Sequence, residues 1–145
     1  MKESTKKQFA TLRDKYKLSN DQFFKSPHGW VIIQRDGIDQ IAAEAGINIS
    51  YDVVEYTPAT SAAVKASGEL DGRTVETYGE AVVGGFPKGN TKTSYVLAMA
   101  EKRGMSRAVL KLTGFYAIGV FSEDESDDFK RSKGTAMDDL IKETL

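Results

Sequence analysis

The dipeptide Asp71-Gly72 joins two runs of alternating side chains, and it constrains the fold more than any other local feature of the chain. A two-residue hairpin turn needs positive φ at both central residues. Asp tolerates that region and glycine enters it freely. Before the turn, Ala62, Val64, Ala66 and Leu70 alternate with Ala63, Lys65, Ser67 and Glu69. After it, a strand is expected from Arg73 to Val83, with Val75, Thr77, Gly79, Ala81 and Val83 on one face. Gly79 inside that strand predicts a bulge or a close backbone approach. Upstream, Ile47, Ile49, Tyr51 and Val53 alternate with Asn48, Ser50 and Asp52, and Thr57-Pro58-Ala59-Thr60 forms the connecting loop. Short connections make the three strands an antiparallel meander.

Helical periodicity flanks the meander. Phe9, Leu12 and Tyr16 place an amphipathic helix over residues 4–17. Ser26-Pro27-His28-Gly29 breaks the chain, and Trp30-Val31-Ile32-Ile33 reads as a short strand. Asp36 is the expected N-cap of a helix over residues 37–45, whose Ile38, Ile41, Ala42 and Ala45 form one buried stripe and which Gly46 stops. A long helix is expected from about Ser94 to Thr113, closed by Gly114. An acidic cluster, Glu123 to Asp128, and a basic run, Lys130 to Lys133, follow, and residues 136–145 either form a short helix or fray.

The expected fold class is therefore α+β: a three-stranded antiparallel β-meander packed against a long C-terminal α-helix, with N-terminal helices. The 145 residues suit a single domain. Its core is expected over about 30–120, with residues 1–25 as an N-terminal helical arm and 121–145 as a charged C-terminal tail. The arm is expected to dock on a neighbouring subunit, since Phe9, Leu12 and Tyr16 need cover.

Composition narrows the chemistry. The chain has no cysteine and one histidine, His28. Disulfides, thiolate catalysis and the common His/Cys metal sites are thereby removed. Gly84-x-x-x-x-Gly89-Asn90-Thr91 nearly matches a phosphate-binding loop, but asparagine stands where the lysine should be. A chain without enzymatic activity, cofactor or metal is expected. No apolar run reaches the ~18 residues of a membrane span, and the N-terminus lacks the apolar stretch of a secretory signal, so a cytoplasmic location is expected.

The net charge of −1 hides four alternating blocks. Residues 1–35 carry +5, residues 36–86 carry −7, residues 87–114 carry +5 and residues 115–145 carry −4. Fields act over a Debye length of ~8–10 Å, so a basic block can bind a polyanion within a neutral chain. On the long helix, Arg103, Arg107 and Lys111 recur every fourth residue and form a stripe that drifts only about 80° over two turns. Lys102 adjoins it, and Lys88 and Lys92 lie in the loop before it. Cations in a row suit a phosphate backbone, each neutralising a phosphate and releasing counterions. Trp30, Tyr56, Tyr78 and Tyr95 could stack bases. Each also lies in or beside a predicted element, which favours a core or interface role.

Three segments carry a family resemblance: Gly37-Ile38-Asp39-Gln40-Ile41-Ala42-Ala43-Glu44-Ala45-Gly46-Ile47, Thr77-Tyr78-Gly79-Glu80-Ala81, and the helix from Ala98 through Gly114-Phe115. In this order, over about residues 30–129, the chain resembles the Rad-fifty-two-type superfamily of single-strand annealing proteins. The resemblance implies a cofactor-free protein that forms rings or filaments. Such a protein holds single-stranded DNA in a basic groove between hairpin and helix and pairs it with a complementary strand. It implies that Arg107 and Lys111, and less closely Arg103, act on the helix, with Lys65 and Arg73 on the hairpin. A single-strand binding protein is a further partner to consider. The −7 strand block departs from the basic wall such a groove needs. Two other readings stay open: a double-stranded RNA-binding module, and a small assembly or interaction protein without nucleic acid.

Overall fold

A computed structural model describes residues 2–125 and the backbone of residues 135–136. Asp127-Asp128, the basic run 130–133 and the expected helix after 136 lie outside the described residues. The architecture is α+β, as the periodicity predicts: a three-stranded antiparallel sheet packs against a long helix. The elements are α1 (Glu3–Lys15), β1 (Phe23–Lys25), β2 (Val31–Ile33), α2 (Arg35–Ala45), β3 (Asn48–Thr57), β4 (Ser61–Leu70), β5 (Arg73–Val82), α3 (Val96–Thr113), β6 (Val120–Ser122) and β7 (Thr135–Ala136).

The hairpin signal is realised as expected. Leu70 pairs with Arg73, and Asp71 and Gly72 have φ of 51° and 79°. Along β4, Ala62, Val64, Ala66 and Leu70 are buried, and on β5 Thr77 and Ala81 share that inner face. β3 runs four residues beyond Val53. The register skips between Val53 and Glu55, so Val54 bulges and Tyr56 returns to the inner face.

α3 lies on β4 and β5 through small residues. A Cβ on Gly79 would stand 1.8 Å from the Ala100 carbonyl oxygen, and one on Gly104 would meet Ala66 at 3.2 Å. Thr77 Oγ1 donates to the Gly104 carbonyl at 2.6 Å. Gly79 thus marks a close backbone approach; the β4–β5 register runs through it without a bulge.

A second sheet, ordered β6-β2-β1-β7 with β2 and β6 parallel, leaves no periodic signal in the sequence. β1 is too short, at three residues, to show a period. Around this sheet Phe9, Tyr16, Phe23, Val31, Ile33, Ile38, Ile41, Val109, Leu110, Phe115 and Val120 form the larger core. The rings of Phe9 and Phe23 meet edge-to-face at 4.8 Å. This corrects the expectation of an arm. Phe9, Leu12 and Tyr16 are covered by the chain's own core, so they need no neighbouring subunit. The folded core accordingly starts well before residue 30.

The cap of α2 also differs from expectation. Its N-cap is Gln34, and the Arg35 amide donates to Glu123 Oε1 at 2.9 Å. A carboxylate 88 residues away takes the role assigned to Asp36. Gly46, at φ 71°, ends the helix as predicted.

Candidate nucleic-acid interface

The basic stripe of α3 is largely engaged within the chain. Arg103 is 1% exposed. Its Nε donates to the Asp124 carbonyl at 2.6 Å, Nη1 to the Glu80 carbonyl at 2.8 Å and Nη2 to the Asn90 carbonyl at 3.0 Å. The planar fork ties β5, the loop after it and the 123–125 turn to one point. Arg107 places Nε and Nη2 on the Glu125 carboxylate, at 2.9 and 2.7 Å, and Nη1 on the Tyr78 carbonyl. The Glu125 hydrogen bond holds its pKa above the ordinary arginine value, against the opposing effect of burial. Asp124 completes the network by accepting from Ser106 at 3.2 Å and Arg35 at 3.4 Å.

The expectation of a stripe open to a polyanion changes here. Arg103 and Arg107 are engaged inside the chain, and they cap the outer edge of β5. Of the acidic turn, Glu125 pairs its carboxylate with Arg107, Asp124 sets its carboxylate on Arg35 and its carbonyl on Arg103, and Glu123 caps α2. The stripe and the acid cluster are far apart in sequence, so their pairing was invisible until β6 brought them together.

The other predicted site residues scatter. Arg73 Nη2 donates to the Leu112 carbonyl at 2.7 Å and so closes the C-terminus of α3. Lys65 lies on the open face of the sheet, 3.6 Å from Glu76 and 3.9 Å from Asp52. The register places Asp52, Glu55, Glu69, Glu76 and Glu80 on that same face, so it repels a polyanion. Lys102 is exposed beside Glu101, about 180° around α3 from Lys111. Lys88 and Lys92 are exposed in the loop before α3. That loop is not a phosphate cradle: the amides of Gly84, Gly89, Asn90 and Thr91 all donate to carbonyls of the loop and β5.

Lys111 of the helix stripe is exposed, its Nζ 5.4 Å from the centre of the Tyr116 ring. From there a chain of rings runs along β6 to the start of β2. Tyr116 meets Phe121 edge-to-face at 5.6 Å, Phe121 meets Trp30 at 5.9 Å, and Trp30 meets His28 at 5.4 Å. Trp30 is 47% exposed. Beside it, Lys2, Thr5, Lys25, Trp30, Ile118 and Phe121 line a groove of about 430 Å³. The strip thus has a cation over its Tyr116 end and two lysines along the groove at its Trp30 end. Trp30 was among the candidate stackers; Lys25, Tyr116 and Phe121 were missed. The +5 charge of residues 1–35 was the one signal that pointed to this side.

Tyr56, Tyr78 and Tyr95 are exposed as well, on the sheet margins and before α3. They do not join the strip, and none is core. Among the described residues no group of histidines, aspartates and glutamates is placed to hold a metal, and no helix is long and apolar enough to cross a membrane. No protein-family model matches the chain, and searches of curated proteins and of solved structures found no match either.

Proposed function

We propose that this chain is an ATP-independent single-stranded DNA-binding protein that anneals complementary strands in recombination or repair. In this reading it works in the cytoplasm as a ring or filament and without a cofactor, and a single-strand binding protein is a further partner. The carrying observation is the ring strip from Tyr116 through Phe121 and Trp30 to His28, with Lys111, Lys25 and Lys2 along it. Single strands offer unstacked bases, and base–aromatic stacking contributes ~1–3 kcal/mol per base whatever the sequence. Lysines at the margin neutralise phosphates at the same time. A duplex keeps its bases stacked and presents only grooves and backbone, so the strip favours a single strand over double-stranded RNA. The interface is displaced from the groove that the family resemblance implies, because the arginines of α3 are engaged internally.

Trp30 is the only tryptophan, so its fluorescence reports on the strip directly. A short single-stranded oligonucleotide is expected to quench it. Lys25→Ala with Lys111→Ala is expected to lower the salt slope of binding by about one to two without changing the fold. The full chain is expected to accelerate strand annealing without ATP and with duplex RNA present as competitor. Unchanged fluorescence together with an unchanged slope would refute the assignment.

A further inference from the structure

Two exposed apolar features lie at opposite edges of the β3–β4–β5 sheet. One is a knob. Phe86, 96% exposed, stands on the 84–90 loop that leaves β5. The base of the loop is braced. Gly84 N donates to the Thr91 carbonyl at 3.0 Å, Asn90 N to the Val82 carbonyl at 2.8 Å, and Val82 N to Asn90 Oδ1 at 2.8 Å. Gly89 packs so closely that a Cβ there would stand 2.6 Å from the Val82 carbonyl oxygen. A knob on a braced loop loses little conformational freedom when it docks. Lys88 is exposed beside it.

The other feature is a groove. Tyr56, Ser94, Tyr95, Leu97, Ala98 and Glu101 line about 370 Å³ between the end of β3 and the first turns of α3. α3 covers β4 and β5 and leaves the inner row of β3 open, so Val53 and Tyr56 are exposed. Glu101 puts a negative charge on the rim. Knob and groove belong to the same end of the sheet, where Thr57 pairs with Ser61 and Ser61 with Val82.

We infer that Phe86 of one copy docks into the Tyr56–Leu97 groove of the next, with Lys88 set against Glu101. This rests on the oligomer in the reading above and names its contact. Knob and groove are different surfaces at opposite edges, so the contact is head-to-tail. Repetition closes a ring or extends a filament. Direct sheet extension is blocked along the C-terminal half of β5, where Arg107 and Arg103 hold the Tyr78 and Glu80 carbonyls and Asn90 holds the Val82 amide. β3 carries its bulge at Val54, and antiparallel self-pairing about Val53–Val54 would set Asp52 against Glu55 of the other copy.

The test is the mass of the full chain by sedimentation, with variants. Wild type is expected to sediment as a multimer. Phe86→Ser is expected to weaken association about tenfold to a hundredfold, from the apolar area it uncovers. Its circular dichroism should stay native, since Phe86 touches no core. Lys88→Glu and Glu101→Lys are each expected to weaken assembly, and the pair together to restore it. A monomeric wild type, a Phe86→Ser chain that assembles normally, or a double exchange that restores nothing would overturn the inference. Quenching of Trp30 by an oligonucleotide short enough for one copy separates the two readings. It should survive in Phe86→Ser, and its absence in an assembling wild type would sink DNA binding alone.

Discussion

Arg103→Lys distinguishes a structural clamp from a polyanion contact, because it keeps the charge and removes the fork. Arg103 donates to the carbonyls of Glu80, Asn90 and Asp124, which lie in three different segments. An ammonium at the end of a flexible stem reaches one of them well and leaves two without that donor. Hydrogen bonds to charged groups contribute roughly 1.5–3 kcal/mol each, so losing two costs about 3 kcal/mol or more. A domain of this size loses roughly 4 °C per kcal/mol, which predicts a fall of about 10 °C in Tm. The assay is thermal unfolding by circular dichroism, with a urea titration to confirm an unchanged m-value. A DNA-contacting arginine behaves differently: lysine keeps most of the phosphate attraction and the fold is indifferent to the change. An Arg103→Lys chain that melts within about 2 °C of wild type would refute the clamp.

Two further outcomes follow from the packing and the charges. Gly79→Ala is expected to abolish folding or cost more than about 4 kcal/mol, because its Cβ would stand 1.8 Å from the Ala100 carbonyl oxygen and α3 cannot retreat from both β4 and β5. Gly46→Ala, where open space surrounds the position and only a φ of 71° resists, is expected to cost about 1–2 kcal/mol, and equal losses from the two variants would contradict the close approach. Burial, and then the Glu101 charge, raise the pKa of Tyr51 above 10.0. The folded chain holds that proton more tightly than the unfolded one. The unfolded chain therefore ionises first as pH climbs past 10.0, and stability falls there. Urea midpoints at rising alkaline pH should drop less for Tyr51→Phe than for wild type; parallel curves would exclude Tyr51 as a source.

The sequence by itself determined the local elements. Asp71-Gly72 set the β4–β5 register, because turn geometry and the period of two leave one pairing that buries Val64, Ala66 and Ala81 together. Gly46 and Gly114 ended α2 and α3 in left-handed conformations, as glycine after a periodic run predicts. Gly79 announced the helix contact. These features rest on neighbours a few residues apart, so they are written in the local chain.

Only the tertiary structure decided where the charges went. A stripe of Arg103, Arg107 and Lys111 reads the same from sequence whether it faces water or a partner. It became a clamp because β6 returns parallel to β2 and sets Glu123, Asp124 and Glu125 against α2 and α3. The same return placed Phe121 beside Trp30, and the strip proposed to stack bases exists only through that pairing. Contacts across 18 to 89 residues carry no local period. Chain folding alone selects which cations are engaged within the chain and which, like Lys111, stay at the surface.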